Sequence, residues 1–464
     1  MKLRHQDIFI NPDNPFEGCK LERKQYADKL TELVKASADG FVLAVDNKWG
    51  SGKTTFIKMW KCQMEQFGFK TVYFNAWEND FDANPMSAIL AELKSLLPED
   101  KDDNFKPLIK KGTVIVKNLI PSIAKALVSN YIGLKGLEDI AESAIKGGAE
   151  ILEEEVNNYI KRQKGLSEFT RELEKYINNV TPDKPLIFIV DELDRCRPNY
   201  AVEVLENIKH FFSVKGILFV LSIDKVQLSN AIKGFYGTDR LDTEEYLRRF
   251  IDLEFSIPEP STKLFVNYLY NYYDFAPFFE SPRRVTNSLL RNEPSGFIKF
   301  AILLFEGHNL TLRQQEKLFS HTRIALNTFH LGDAVIPSSF IFLTYIYQFN
   351  KTVYFDIKNR KYNLRQFAKN IQGLFPENPY SDNSRLIIST FAMLLYLYNN
   401  YYKEINHESE IFQDNGELLI DLNFKVSNAT SFLKQCIDMY DREVYKIQIT
   451  YLLSKIELLE NVKY

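Results

Sequence analysis

Two kinds of pattern divide the chain near residue 260. Before that point, short apolar runs bounded by turn residues alternate with segments whose apolar positions recur every three or four residues. Phe41-Val42-Leu43-Ala44-Val45, Thr71 to Trp77, Pro185 to Val190 and Gly216 to Ile223 have the length and continuity of strands buried on both faces. Asp252 to Ile257 is a fifth strand, ended by Pro258 and Pro260. A helix is predicted from about Gly52 to Gln66, closed at Gly68. Another runs from Met86 to Leu97, opened by the cap-and-first-turn pair Asn84-Pro85. Strands alternating with helices predict a parallel sheet with right-handed crossovers. Ahead of the first strand, Leu21, Tyr26, Leu30 and Leu33 recur at near-helical spacing and predict an amphipathic helix that Asp39-Gly40 ends.

Residues 98–180 break this rhythm. A charged stretch, Glu99-Asp100-Lys101-Asp102-Asp103, leads into long helical patterns without a strand, which reads as an all-helical insertion. From about Ser261 onward helical patterns dominate, with at most a brief strand near Val353.

The turn after the first strand carries the chemistry. Asp46-Asn47-Lys48-Trp49-Gly50-Ser51-Gly52-Lys53-Thr54-Thr55 lies between a strand and a helix, the context in which a glycine-rich loop wraps phosphates. Successive backbone N–H groups must turn inward around the anion, and side chains would block that approach; Gly50 and Gly52 remove the obstruction. The helix N-terminus after Gly52 adds partial positive charge. Lys53 offers an ammonium to the β- and γ-phosphates, and the Thr54 hydroxyl is a hard oxygen ligand for Mg²⁺. The nucleotide-contacting stretch is therefore Asn47, Trp49, Gly50, Ser51, Gly52, Lys53, Thr54 and Thr55, with ATP and Mg²⁺ as expected ligands. The pattern GxxxxGK[ST] places a glycine where this chain has Asn47. Asparagine is the non-glycine residue that best tolerates a left-handed backbone, so Asn47 reads as a tolerated variant.

A second signal closes the third strand. Leu186-Ile187-Phe188-Ile189-Val190 ends in Asp191-Glu192, two carboxylates at the C-terminal edge where open α/β sheets bind ligands. Asp191 is placed to hold the hydrated Mg²⁺ that Thr54 also contacts. Glu192 is placed to orient or deprotonate an attacking water. The fourth strand, expected beside the first, ends in Ser222-Ile223-Asp224, so Ser222 or Asp224 could reach the γ-phosphate or the water; an ordinary strand-end turn explains them equally well. Arg248-Arg249, in a helix from Glu244 to Phe250, and Arg283-Arg284, opening a helix after Ser281-Pro282, offer guanidinium groups for charge developing on a transferred phosphoryl group, in cis or from a second subunit. Solvated surface arginines explain them as well.

Composition narrows the setting. The 464 residues carry a formal net charge of -3, 45% hydrophobic and 26% charged residues, as expected of a globular chain with a real core. A nucleic-acid binder more often has a basic excess, so such a partner is compatible with the sequence but not indicated. The local run Lys358, Arg360, Lys361, Arg365 and Lys369, with Tyr362 and Phe367 between, reads first as a solvated face. The four cysteines, far apart and in no CxxC pair, read as reduced cytoplasmic thiols, and the six scattered histidines suggest no zinc site. The N-terminus lacks the apolar core of a secretion signal, and no stretch reaches the roughly 18 uninterrupted apolar residues of a membrane span, so a soluble chain is expected.

Three segments together resemble the KAP family of P-loop NTPases: Lys48-Trp49-Gly50-Ser51-Gly52-Lys53-Thr54, Tyr73-Phe74-Asn75-Ala76-Trp77, and Asp191-Glu192-Leu193-Asp194-Arg195-Cys196. The resemblance covers about residues 15–300. It implies an additional-strand NTPase sheet, related to the STAND class, with strands between the P-loop strand and the acidic-pair strand and a helical lid after the core. Tyr246-Leu247-Arg248-Arg249 is similar to the family's Tyr-Leu-x-basic segment, which points to Arg249. Ser281-Pro282-Arg283-Arg284 is similar to its Pro-Arg lid segment, which points to Arg283. Many members span a membrane between the P-loop and the acidic pair; here that slot, 98–180, is too polar. Bacterial relatives are associated with phage exclusion, which the resemblance extends to this chain by analogy alone. For Asn75, Trp77, Asp194, Arg195 and Cys196, the residues themselves suggest only a packed strand end, a local salt bridge and a buried thiol.

The expected organisation is a P-loop core split between 1–97 and 181–260, the insertion at 98–180, a lid at 261–335 and a helical C-terminal region at 336–464. Three functions fit it: a Mg-dependent ATPase acting as a conformational switch or motor, with protein partners or self-association through the helical regions; a nucleotide-loaded scaffold with negligible hydrolysis; and a small-metabolite kinase. Glu192 beside Asp191 and the large helical half speak against the last.

Overall fold

The computed structural model describes residues 9–458 except 38–39, 82–84, 97–104, 106, 109–147, 213, 288–289, 331–332, 377–380, 407–409, 414–415, 425, 427 and 443–446. These residues form two compact units, one ending at Pro258 and one beginning at Glu259.

The first unit is a five-stranded parallel sheet in the order β2-β3-β4-β1-β5. In chain order its elements are α1 (Lys24–Lys35), β1 (Val42–Asp46), α2 (Lys53–Gln66), β2 (Thr71–Asn75), α3 (Pro85–Lys94), α4 (Gly148–Val180), β3 (Leu186–Asp191), α5 (Pro198–Phe212), β4 (Ile217–Ile223), α6 (Lys225–Tyr236), α7 (Thr243–Leu247) and β5 (Leu253–Phe255). Between the P-loop strand and the acidic-pair strand, where strands are expected, the described residues place one, β4.

Both faces of the sheet are covered, which is why its strands read as unbroken apolar runs. Strand side chains alternate between two cores. Ala44, Phe74, Phe188, Val190, Phe219 and Leu221 pack with α3, α4, α5 and α6. Leu43, Val45, Ile187, Ile189, Leu218 and Val220 pack with α1 and α2 through Leu30, Val34, Phe56, Trp60 and Met64. The buried stripe of α1 is Ala27, Leu30, Thr31 and Val34, one position round from the expected Leu33, and Leu21 precedes the helix. Thr31 belongs there because its hydroxyl accepts from Trp60 Nε1 at 3.0 Å.

Strand β5 is shorter than expected because side chains take over at both its ends. The Asp252 carboxylate accepts from Val42 N at 2.8 Å, and Ile257 pairs with the side chain of Asn47. Of the expected insertion, residues 109–147 lie outside the described residues, as do the charged stretch 99–103 and Asn84; Gly148–Val180 is one helix.

The second unit contains α8 (Thr262–Tyr272), α9 (Ala276–Phe279), α10 (Pro282–Val285), α11 (Glu293–Gly307), α12 (Leu312–Leu326), α13 (Pro337–Phe349), α14 (Lys351–Lys358), α15 (Leu364–Gln372), α16 (Ser381–Lys403), α17 (Ala429–Arg442) and α18 (Ile449–Glu457). The regions read separately as 261–335 and 336–464 lie together in it. The brief strand expected near Val353 is corrected: Val353 lies in α14, whose Tyr354 and Ile357 are buried at helical spacing. The high aromatic content is spent here. Phe275 meets Phe297 at 5.1 Å and Phe319 at 5.4 Å, and Phe342 stacks on Phe375 at 4.1 Å.

Among the described residues no helix is long and apolar enough to cross a membrane.

Candidate nucleotide-binding site

The first strand ends at Asp46, whose carboxylate accepts from Lys225 N at 2.9 Å, and the chain then turns through 47–52 into α2. Gly50 and Gly52 take φ of 81° and 79°, left-handed values that favour glycine. Gly52 is the N-cap of α2 and supplies no side-chain cap, so the first-turn N–H groups stay available to an anion. A Cβ on Gly52 would stand 2.8 Å from Arg23 Nη1.

Asn47 does not take the left-handed backbone expected of it. Its amide instead pairs with the main chain of Ile257, Nδ2 donating to the carbonyl at 2.8 Å and Oδ1 accepting from the N–H at 2.8 Å. A glycine could not make this pair, which is the physical reason for the departure from the pattern.

Lys53 is buried, and its ammonium donates to the carbonyl of Asn47. Burial lowers its pKa from the usual lysine value; the carboxylates of Asp194, Asp224, Asp191 and Asp46 oppose that, in this order of strength. Asp191 is thus near enough to favour the charged form of Lys53. Strand register says the same: Asp191 is level with Ser222 on β4, and Ser222 with Val45 on β1. At about 4.8 Å per strand, roughly 10 Å separates the β1 and β3 backbones there.

Asp191 is fully buried. Its Oδ2 accepts from the Tyr73 hydroxyl at 2.8 Å and its Oδ1 from Glu192 N at 2.9 Å. Burial, reinforced by Asp191, pushes the Tyr73 hydroxyl far above the ordinary tyrosine range, so it stays a donor. Glu192 sits at φ 62°, a left-handed turn that breaks the strand and lifts its side chain out of the pleat. One of its oxygens pairs with Arg195 Nη1 at 2.7 Å, the other accepts from Asn75 Nδ2 at 3.3 Å. Burial raises the Glu192 pKa above the usual glutamate value, against the opposing Arg195. Asn75 is itself fixed, its Oδ1 accepting from Trp77 N at 3.1 Å and Glu78 N at 3.2 Å. Arg195 lies over the exposed Trp77 ring, 5.4 Å from its centre.

Of the expected salt bridge and buried thiol of the Asp194-Arg195-Cys196 run, the thiol is buried, while Arg195 pairs with Glu192 rather than with Asp194. Asp194 instead accepts from Trp49 Nε1, tying the acidic-pair turn to the P-loop 145 positions away. Asp224 also has a positioning job. It accepts from Trp49 N at 3.1 Å and caps α6 through Gln227 N at 3.3 Å. Thr54 and Thr55 are half-buried in the first turn of α2. Arg249 follows α7 and is exposed. In the second unit Arg283 is exposed, while its neighbour Arg284 is the buried one, paired with Glu293 and donating to the Asp333 carbonyl.

Ser51 Oγ, Ser222 Oγ and Asp194 Oδ1 are buried without a side-chain or backbone partner among the protein hydrogen bonds. Buried oxygens of this kind are satisfied by water, an ion or a polar ligand. Among the described residues no group of three or more His, Cys, Asp or Glu could enclose a metal. A divalent ion here would draw on Thr54, Asp191 and phosphate oxygens, the mode Mg²⁺ prefers to an all-protein cage.

Sequence reasoning gave no role to Arg23 or Tyr73, and none beyond a local salt bridge to Asp194. Tyr73 lies in a quoted motif, but its partner is 118 positions away. Arg23 carries no motif; it donates to the carbonyls of Ser51 and Gly52 from the start of α1.

The sequence profile of the KAP family P-loop domain matches residues 23–314, well over half of the chain. The chain belongs to the KAP family. Its P-loop core is thus a nucleotide-binding NTPase fold. An uncharacterized protein of Methanocaldococcus jannaschii is 27% identical over 176 residues, which are 33% of this chain and 90% of that protein. A solved DNA replication initiation factor aligns with 93% of this chain and 99% of its own at 13% identity, with a TM-score of 0.27, too weak a superposition to bear on fold or function.

In the basic run of the second unit, Lys358 pairs with Glu457 at 2.7 Å, Arg360 with Glu404, and Lys361 with Asp356 at 2.8 Å, while Arg365 and Lys369 are exposed.

Proposed function

We propose that this KAP protein binds ATP with Mg²⁺ and hydrolyses it, using the cycle as a conformational switch. The observation that carries the reading is the convergence of one buried ammonium, Lys53, with Asp191, beside three buried oxygens that lack protein partners. The loop amides of 50–54 would hold the phosphate tail, with Lys53 leaving the Asn47 carbonyl for it. Thr54 and Asp191 would hold Mg²⁺, which supplies charge neutralisation at the phosphates. Tyr73 and the Glu192 N–H fix the Asp191 carboxylate for that task. Glu192 would accept a proton from water, and Asn75 orients it. Arg249 and Arg283 remain candidates for neutralising transition-state charge. A role in phage exclusion rests on the family resemblance alone.

One observation favours a slower variant, the nucleotide-loaded scaffold: the Glu192 carboxylate is already engaged by Arg195 and Asn75. Hydrolysis then requires it to leave Arg195.

The test is titration of the purified protein with ATP, with and without Mg²⁺, together with phosphate release. Trp49, 44% exposed beside the loop, is a built-in reporter. Its fluorescence is expected to change on titration, and Trp49→Phe to remove that change. Saturating ATP with no heat of binding and no change in Trp49 emission would sink the reading.

A pH dependence follows from Lys53. The cation is the phosphate-binding form, and burial holds its pKa below the ordinary lysine value. ATP affinity is therefore expected to fall as pH rises, earlier than a solvated lysine would allow. Asp194 is the strongest of the carboxylates that favour the cation, so Asp194→Asn should move that alkaline limb to lower pH. Identical limbs in the two proteins would refute the coupling.

A further inference from the structure

We infer that Arg23 is a positioning residue for the phosphate loop, setting the direction of the two amide N–H groups that meet the phosphates; the inference rests on the nucleotide-binding reading above. Arg23 is only 4% exposed and reaches the loop from behind. Its Nη2 donates to the Ser51 carbonyl at 2.6 Å and its Nη1 to the Gly52 carbonyl at 3.1 Å.

Peptide geometry makes this contact consequential. In a trans peptide the carbonyl of one residue and the N–H of the next point in opposite directions, and the described chain has no cis bonds. Holding the Ser51 carbonyl toward Arg23 turns the Gly52 N–H away from it. Holding the Gly52 carbonyl turns the Lys53 N–H away as well. Two successive donors are thus aimed at one side of the loop, the arrangement that makes an anion-binding concavity. The φ values of Gly50 and Gly52 permit this path, but a glycine pair permits many others. Arg23, with the first hydrogen bond of α2 from Phe56 N to the Gly52 carbonyl at 3.2 Å, selects one of them.

Three further features suit Arg23 to this task. Guanidinium is a flat fork with fixed donor directions, so one side chain can grip two adjacent carbonyls. Its platform is firm, because α1 is pinned to α2 by Trp60 Nε1 on Thr31 at 3.0 Å and Gln63 Nε2 on Asp28 at 2.6 Å. The approach also needs Gly52 on its rear side, where a Cβ would stand 2.8 Å from Nη1. Gly52 is therefore favoured twice: by its left-handed φ of 79° and by the room its missing Cβ leaves for Arg23. The permanent positive charge of Arg23 behind the loop adds to that of Lys53 in front.

The experiment compares wild type, Arg23→Met and Arg23→Lys in two measurements. The first is affinity for ATP and ADP by calorimetry, with steady-state hydrolysis. Arg23→Met is expected to weaken both nucleotides by roughly tenfold to a hundredfold, the scale of losing charge-assisted hydrogen bonds. It should raise KM with little change in kcat, because the aimed amides serve ground and transition states alike. Arg23→Lys, which can reach one carbonyl at a time, should fall between. The second measurement is the Gly52 amide resonance in nucleotide-free protein labelled with [15N]glycine. It should shift and broaden in Arg23→Met and recover in part in Arg23→Lys. If Arg23→Met does not fold, Arg23→Lys carries both measurements. Wild-type affinity together with an unmoved Gly52 resonance in the folded variants would overturn the inference. A wild-type protein that ignores ATP would sink the nucleotide reading, while the Gly52 resonance would still decide whether Arg23 sets the loop.

Discussion

Glu192→Gln is expected to bind ATP about as tightly as the wild type and to release phosphate at least a hundredfold more slowly, the lower end of what a positioned general base contributes (about 10² to 10⁴). The substitution keeps the shape of the side chain and an oxygen for the hydrogen bond from Asn75, and removes the ability to take a proton from water together with the Arg195 ion pair. Stability provides the control. Burial raises the folded-state pKa of Glu192, so the folded protein holds this proton more tightly than the unfolded chain does. Such a group weakens the fold as pH rises through its raised pKa, and at neutral pH the carboxylate is a cost partly offset by Arg195. A neutral glutamine removes that cost together with the Arg195 pair, so the urea midpoint of Glu192→Gln at pH 7 should stay close to wild type. Phosphate release at the wild-type rate would show that Glu192 is not the base and would favour the scaffold reading. Wild-type activity should also fall on acidification at a higher pH than an ordinary glutamate would produce, since protonated Glu192 cannot accept.

Lys53→Met is expected to lower ATP affinity by about a hundredfold or more, since it removes the charge-assisted contact to the phosphates while keeping the apolar stem. Asp194, Asp224, Asp191 and Asp46 all lose a counter-charge. The variant should therefore melt below wild type in low salt at neutral pH. ATP binding within a few fold of wild type, by calorimetry, would mean that the loop amides alone hold the nucleotide and that Lys53 has another task.

Much of the first unit was legible because its determinants are local. Each buried strand announces itself as an apolar run, and Gly50, Gly52, Lys53, Asp191 and Glu192 lie at fixed distances from strand ends. Less visible was everything that depends on a partner far along the chain. Tyr73 finds Asp191, Trp49 finds Asp194 and Asp224, and Arg23 finds the loop carbonyls, each through folding rather than spacing. Asn47 shows the limit most clearly. Backbone preference alone suggested a left-handed residue, but a bidentate pair with Ile257 decided its conformation. Val353 erred the other way: a β-branched residue suggested a strand, and the burial of Tyr354 and Ile357 on one helical face overruled it. In the second unit, arginine pairs could not be sorted by sequence into Arg283, which faces solvent, and Arg284, which is buried.

The seam between Asn47 and Ile257 joins the opening residue of the phosphate loop to the residue just before Pro258, where the first unit ends. Lys53 also holds the carbonyl of that same asparagine. Were the lysine to turn to a phosphate, it would release the carbonyl of the residue whose side chain is tied to the main chain at the exit of the core. A single carboxamide, which a glycine would not have provided, thus links the phosphate loop to the exit of the core.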